Sequence, residues 1–122
     1  MTTQQAVLSL DQILDLVGPL DDAAGDNTPR ERFRRYLANS VQTIGAVRDY
    51  IETCVRTSGT QYNRALQDLV NHTGRLIGFE VEFGRYQGVP GEIGHDGLWR
   101  AGDLAIVVEV RTTDVYTRVH PD

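Results

Sequence analysis

The sequence predicts an α+β fold: a helical N-terminal half followed by an α-β-β-β core. Three observations predict it. Apolar residues recur every three or four positions within Leu10 to Val17, Phe33 to Val55 and Tyr62 to Val70. The spacing then changes to two at Ile77, and segments rich in Gly and Pro separate three short extended runs after that point.

Ser9 followed by Gln12 is a capping-box pattern. Leu10, Ile13, Leu14 and Val17 then share one helical face until Gly18-Pro19 stops the run. "DDAAGDNTP" is acidic and rich in small residues, and reads as a linker near residues 19–28. Thr28-Pro29-Arg30-Glu31 supplies an N-cap, Pro at the first helical position and Glu at the third. Phe33, Leu37, Val41, Ile44, Val47, Ile51 and Val55 continue the helical spacing, with Asn39, Ser40 and Gly45 marking where it can divide in two. That run ends near Thr57-Ser58-Gly59, so residues 1–58 form the helical region and 59–122 the α/β core.

The core opens with a helix. Tyr62, Ala65, Leu66, Leu69 and Val70 fall on one face, and Gly74 is placed to close it. In "RLIGFEVEFGRY", Ile77, Phe79, Val81 and Phe83 alternate with polar residues and Gly, the pattern of a strand with one wet face. "QGVPGEIG" supplies turn chemistry, "HDGLW" begins a second extended piece, and Arg100 to Asp103 makes another turn. "LAIVVEV" is β-branched enough to be a central strand, with Ile106, Val108 and Val110 on one face and Val107, Glu109 and Arg111 on the other.

Composition limits the function classes. At 122 residues the chain can bury a core as one domain. Its single cysteine, Cys54, excludes an internal disulfide framework and a multi-cysteine zinc site, and its helical position suits the core. There is no apolar stretch long enough to span a membrane and no basic N-terminal region, so a cytoplasmic location is the expectation. The net charge of −5 rules out bulk attraction to nucleic acid, leaving a local arginine patch as the means of contact. All twelve basic residues are Arg, so any role for a lysine ammonium falls to a group that effectively never deprotonates.

Chemistry concentrates in "HDGLWRAGDLAIVVEVRTT". A carboxylate in a β-branched strand needs a partner or a cation, and Glu109 has two candidates. Arg111 shares its face, which would make a simple ion pair at the sheet end. Asp96 converges on it if the turn at Arg100 to Asp103 makes the two strands neighbours. Two carboxylates, a backbone carbonyl at Val110 and water then make a site for Mg²⁺ or Mn²⁺.

This stretch resembles the PD-(D/E)XK nuclease superfamily, the restriction-endonuclease-like fold. Asp96 matches the acidic residue of the family's second strand, and Glu109 and Arg111 match the acidic and basic residues of the third. The resemblance covers about residues 60–118 and implies Mg²⁺-dependent hydrolysis of a phosphodiester, with DNA as substrate in restriction or phage defence. Asn63 falls where members often carry a helical acid, with Gln61 nearby, and His95 replaces the motif's proline. Arg111 replaces its lysine, which confines that side chain to electrostatic stabilisation. The chain stops at "RVHPD", before the family's further helix and strand. The alternative is a catalytically degenerate, nuclease-like binding or oligomerisation module.

Several other side chains carry expectations. Glu92 reads as a solvated loop residue, His95 as a hydrogen-bonding neighbour of the site, and His72 and His120 as lacking partners at metal-ligand spacing. Trp99 and Tyr86 are expected beneath the hairpin rather than stacked on a base. Arg30, Arg34, Arg75 and Arg85 are the candidate contacts to a nucleic-acid backbone. The apolar faces of residues 10–17 and 33–55 exceed what three strands cover, predicting a homo-oligomer through the helical region.

Overall fold

Ser9, Thr28 and Thr43 each turn a side-chain oxygen onto a backbone N–H three residues ahead, and each starts a helix. In the computed structural model, which describes residues 8–112, these are α1 (Leu10–Val17), α2 (Pro29–Ser40) and α3 (Ile44–Arg56). The long apolar run therefore divides in two at Val41 to Thr43. α4 (Thr60–Leu76) follows, then β1 (Glu80–Phe83), β2 (Gly97–Ala101) and β3 (Leu104–Val108). The strands form one antiparallel sheet in the order β1-β2-β3, with Val81 opposite Trp99 and Trp99 opposite Ile106. The chain is thus mixed α+β, and no helix among the described residues is long and apolar enough to cross a membrane.

A single buried cluster joins α1 through α4. Leu10 and Ile13 meet Phe33, Leu37, Val47 and Cys54 there, and Ala65, Leu66 and Leu69 of α4 complete it. Burying one such Leu or Phe stabilises the fold by about 1.5–3 kcal/mol. The helical faces expected to be left for a second copy are largely covered by one another and by α4. Ile44 and Val55, expected on the apolar face of α3, are instead exposed, as is Leu16 of α1. The segment expected as a linker is anchored: Leu20 is fully buried, and Gln61 clamps it by accepting from its N–H at 2.6 Å and donating to its carbonyl at 3.1 Å. Asp22 accepts from the N–H groups of Tyr86 and Gln87, tying this segment to the loop after β1.

β3 corrects the sequence reading. Among the described residues it is an edge strand, not a central one, with Leu104, Ile106 and Val107 exposed. Its β-branched composition reflects strand propensity without burial. The strand ends at Val108, so Glu109 lies just past it on an exposed position, and no buried strand has to accommodate its charge. The turn joining β2 to β3 is shorter than expected, Gly102-Asp103, with Ala101 paired to Leu104 and Gly102 taking a φ of 57° that favours glycine.

β2 lies close against α4. A Cβ on Gly74 would meet Trp99 Cε2 at 2.6 Å, so the indole fills the space that the missing side chain leaves. Trp99 Nε1 donates to Asn71 Oδ1 at 3.0 Å, and the ring packs 5.6 Å from Phe79. Trp99 and Tyr86 are both half-buried, Trp99 against α4 and Tyr86 with its hydroxyl on Asp68.

Candidate functional site

The polar residues Asn63, Gln67 and Asn71 recur every four positions along α4, a stripe beside its apolar face. This stripe meets the start of β2 at Asp96. The Asp96 carbonyl accepts from Asn71 Nδ2 at 2.9 Å, from the Gly84 N–H at 2.9 Å and from Gln67 Nε2 at 3.4 Å. Its N–H donates to the Val108 carbonyl at 3.0 Å. The Asp96 backbone is therefore held by α4, by the end of β1 and by the end of β3, and the carboxylate projects from a fixed point.

That carboxylate meets the residues matched to it in sequence. Asp96 Oδ2 accepts from the Val110 N–H at 2.7 Å and from Arg111 Nη1 at 3.4 Å. Arg111 Nη2 reaches Glu109 Oε2 at 3.1 Å, and its Nη1 donates to the Val110 carbonyl at 3.0 Å. Of the two partners considered for Glu109, Arg111 is the one it contacts, and Asp96 is joined to it through the same guanidinium. The Asp96 side chain is 17% exposed, whereas Glu109 and Arg111 are 44% and 51% exposed.

Two clefts adjoin this cluster. One, of about 250 Å³, is lined by Thr60, Asn63, Arg64 and Gln67 of α4 opposite Asp96, Val110 and Arg111. The other, of about 490 Å³, is bounded by the loop 85–94 with His95, Asp96, Glu109 and Arg111. Tyr86, Asp96 and Arg111 line both. Asn63 and His95 therefore stand at the site. Gln61 does not join them, because its amide is committed to Leu20. Glu92 is an exposed loop residue on the rim of the second cleft.

Three hard oxygens, Asp96 Oδ2, Glu109 Oε2 and the Val110 carbonyl, are the right chemical type for Mg²⁺ or Mn²⁺. Among the described residues no group of three or more His, Cys, Asp and Glu assembles, so water from the clefts would complete the shell. The same three oxygens face the Arg111 guanidinium. A divalent cation would have to take these oxygens from Arg111, which already holds them.

The candidate backbone contacts divide into two groups. Arg30 is held by Asp22 at 3.3 Å and Glu31 at 2.9 Å. Arg34 is held by Asp68 at 3.1 Å, stacks 4.7 Å from Phe83 and donates to the Gly84 carbonyl. Both are structural. Arg85 is 56% exposed and only 3.8 Å from Asp22, so it is loosely paired. Arg75 lies over Phe83 at 4.8 Å, its polar partner is His72 Nδ1 at 2.8 Å, and its buried Nε has none. Arg75 and Arg85 remain available to an anion.

Asp68 was legible only as a polar residue on α4, yet it is fully buried. Burial pushes its carboxyl up to about 6, although Arg34 and the Tyr86 hydroxyl, which donates to Oδ2, act in the opposite direction. His72 is also buried, with Nε2 on the Val41 carbonyl at 2.6 Å, which accounts for it without a metal role. His120 and "RVHPD" lie outside the described residues. No protein-family model, curated protein or solved structure matches this chain.

Proposed function

We propose that the chain is a restriction-endonuclease-like module, or the catalytic portion of one, that hydrolyses a phosphodiester of DNA in a Mg²⁺-dependent reaction, in a cytoplasmic restriction or phage-defence setting. The observation that carries this reading is that Asp96, Glu109 and the Val110 carbonyl all bond to one guanidinium, that of Arg111, beside two open clefts. A bound Mg²⁺ would supply polarisation of a phosphate oxygen and a hydroxide near neutral pH. Asp96 and Glu109 would hold it, and Gln67 and Asn71 keep Asp96 in register by holding its carbonyl. Asn63 and His95 line the space where the DNA backbone would lie, Arg85 lines the second of these clefts, and Arg75 would contact the backbone from outside both. Copies of the chain would pair through the helical region, where Leu16, Ile44 and Val55 are exposed.

Duplex DNA incubated with Mg²⁺ or Mn²⁺ is expected to be cleaved by the native chain and not by Glu109→Ala. Equal cleavage by that variant would remove the basis of the proposal. A second reading, a degenerate binding or oligomerisation module, is favoured by one feature: Arg111 already neutralises both carboxylates. DNA binding or self-association without cleavage under any divalent condition is its expected signature.

A further inference from the structure

Resting on the metal-site reading above, we propose that Arg111 is a resident counter-cation which a divalent metal must displace, so that the guanidinium competes with the metal for the site.

The geometry is convergent. Arg111 Nη1 meets Asp96 Oδ2 at 3.4 Å and the Val110 carbonyl at 3.0 Å, and Nη2 meets Glu109 Oε2 at 3.1 Å. One oxygen of each carboxylate and the Val110 carbonyl are thus shared with one positive group. A guanidinium and a divalent ion repel one another strongly at such range, so both do not occupy these oxygens together. Arg111 is free to leave, because half of its side chain already faces solvent. Asp96 keeps its orientation when Arg111 goes, since Val110 N–H still donates to the same oxygen at 2.7 Å. Arg111 and Asp96 also line both neighbouring clefts, so the guanidinium forms part of the wall between them. The displaced cation stays tethered at the site entrance, where a phosphate oxygen replaces the carboxylates as its partner.

Titration of the full chain with Mn²⁺ alone tests this, by calorimetry on the native chain, Arg111→Met, and Asp96→Asn combined with Arg111→Met. Methionine retains the aliphatic stem and removes the charge. Arg111→Met is expected to bind Mn²⁺ about tenfold tighter than the native chain, equivalent to about 1.4 kcal/mol, and the double variant to lose that binding. In the native chain, added Mg²⁺ is expected to shift the Arg111 Nε resonance in a ¹⁵N spectrum. Equal affinity in native and Arg111→Met chains, with the Arg111 resonance unmoved, would overturn the competition while leaving the metal site standing. Absence of Mn²⁺ binding in both native and Arg111→Met chains would instead overturn the metal reading and the competition with it.

Discussion

Arg34 is bound to Asp68 more firmly than to anything outside the protein. Its side chain is 13% exposed and Asp68 fully buried, so removing the cation strands a carboxylate in apolar surroundings. Arg34→Ala is expected to lower stability at pH 8 by about 3–5 kcal/mol, read from urea unfolding. At pH 5 the cost should be smaller, because Asp68 can take up a proton, its carboxyl having been pushed up to about 6 by burial despite Arg34 and Tyr86. An equal loss at both pH values would refute the assignment. Arg75 and Arg85 behave differently. Arg85 is only loosely paired with Asp22, and Arg75 has His72 and Phe83 rather than a carboxylate as its partners, so Arg75→Ala and Arg85→Ala are each expected to leave the fold intact. Each should reduce the slope of log affinity for duplex DNA against log salt by about 1. Unchanged slopes in an anisotropy titration would exclude them as phosphate contacts. In the sequence all four arginines looked alike, because which of them meets a carboxylate depends on residues such as Asp22 and Asp68 that lie far away along the chain or within a helix.

At the scale of elements, what repeats locally was legible and what depends on neighbours was not. The caps at Ser9 and Thr28 and the division of the long helix near Ser40 follow from adjacent residues and appear in the structure. The strand read from Ile77, by contrast, begins only at Glu80, because α4 runs through Gly74 to Leu76 and leaves Ile77 exposed at its end. The standing of β3 does not, because an edge and a central strand share the same β-branched composition and differ only in what lies alongside. Reading β3 as buried made Glu109 look anomalous, although its position past the strand end leaves it exposed. The Asp96–Glu109–Arg111 grouping was legible as a set, whereas the stripe that positions it, Gln67 and Asn71, was overlooked among the apolar residues of α4. That stripe requires a close approach, and Gly97 permits it, since a Cβ there would collide with Asn71 Oδ1. Gly97→Ala is therefore expected to lower stability by about 1–3 kcal/mol. It should also perturb the amide resonances of Asp96 and Val110, because moving Asn71 releases the Asp96 carbonyl. A urea midpoint matching the native chain would show that α4 and β2 are not packed as closely as described.

Across the whole molecule, the helices and the sheet are fastened by two buried or half-buried aspartates that oppose one another in pH. Asp22, in the segment between α1 and α2, is pushed upward by burial. It is nonetheless held below the ordinary carboxylate value by the Tyr86 and Gln87 N–H groups and by Arg85 and Arg30. A carboxyl lowered in the folded state contributes stability that is present above its unfolded value of 3.8 and lost as pH falls through the folded one. Asp68, in α4, has the reverse sign. With a folded-state value of about 6 against 3.8, its protonated form favours folding, so its contribution is complete below 3.8 and lost as pH rises through about 6. Stability is therefore expected to fall on the acid side through Asp22 and to decline between about pH 4 and 6 through Asp68. Urea midpoints measured from pH 3 to pH 8 separate the two: Asp22→Asn should flatten only the acid limb, and Asp68→Asn only the decline toward pH 6. Asn at position 68 can still accept from Arg34 through its amide oxygen and donate from its NH2 to the Tyr86 hydroxyl, so this variant is expected to fold and its slope to be measurable. If Asp68→Asn leaves the profile between pH 4 and 6 unchanged, the buried carboxylate is ionised throughout that range, and Arg34 and Tyr86 outweigh its burial.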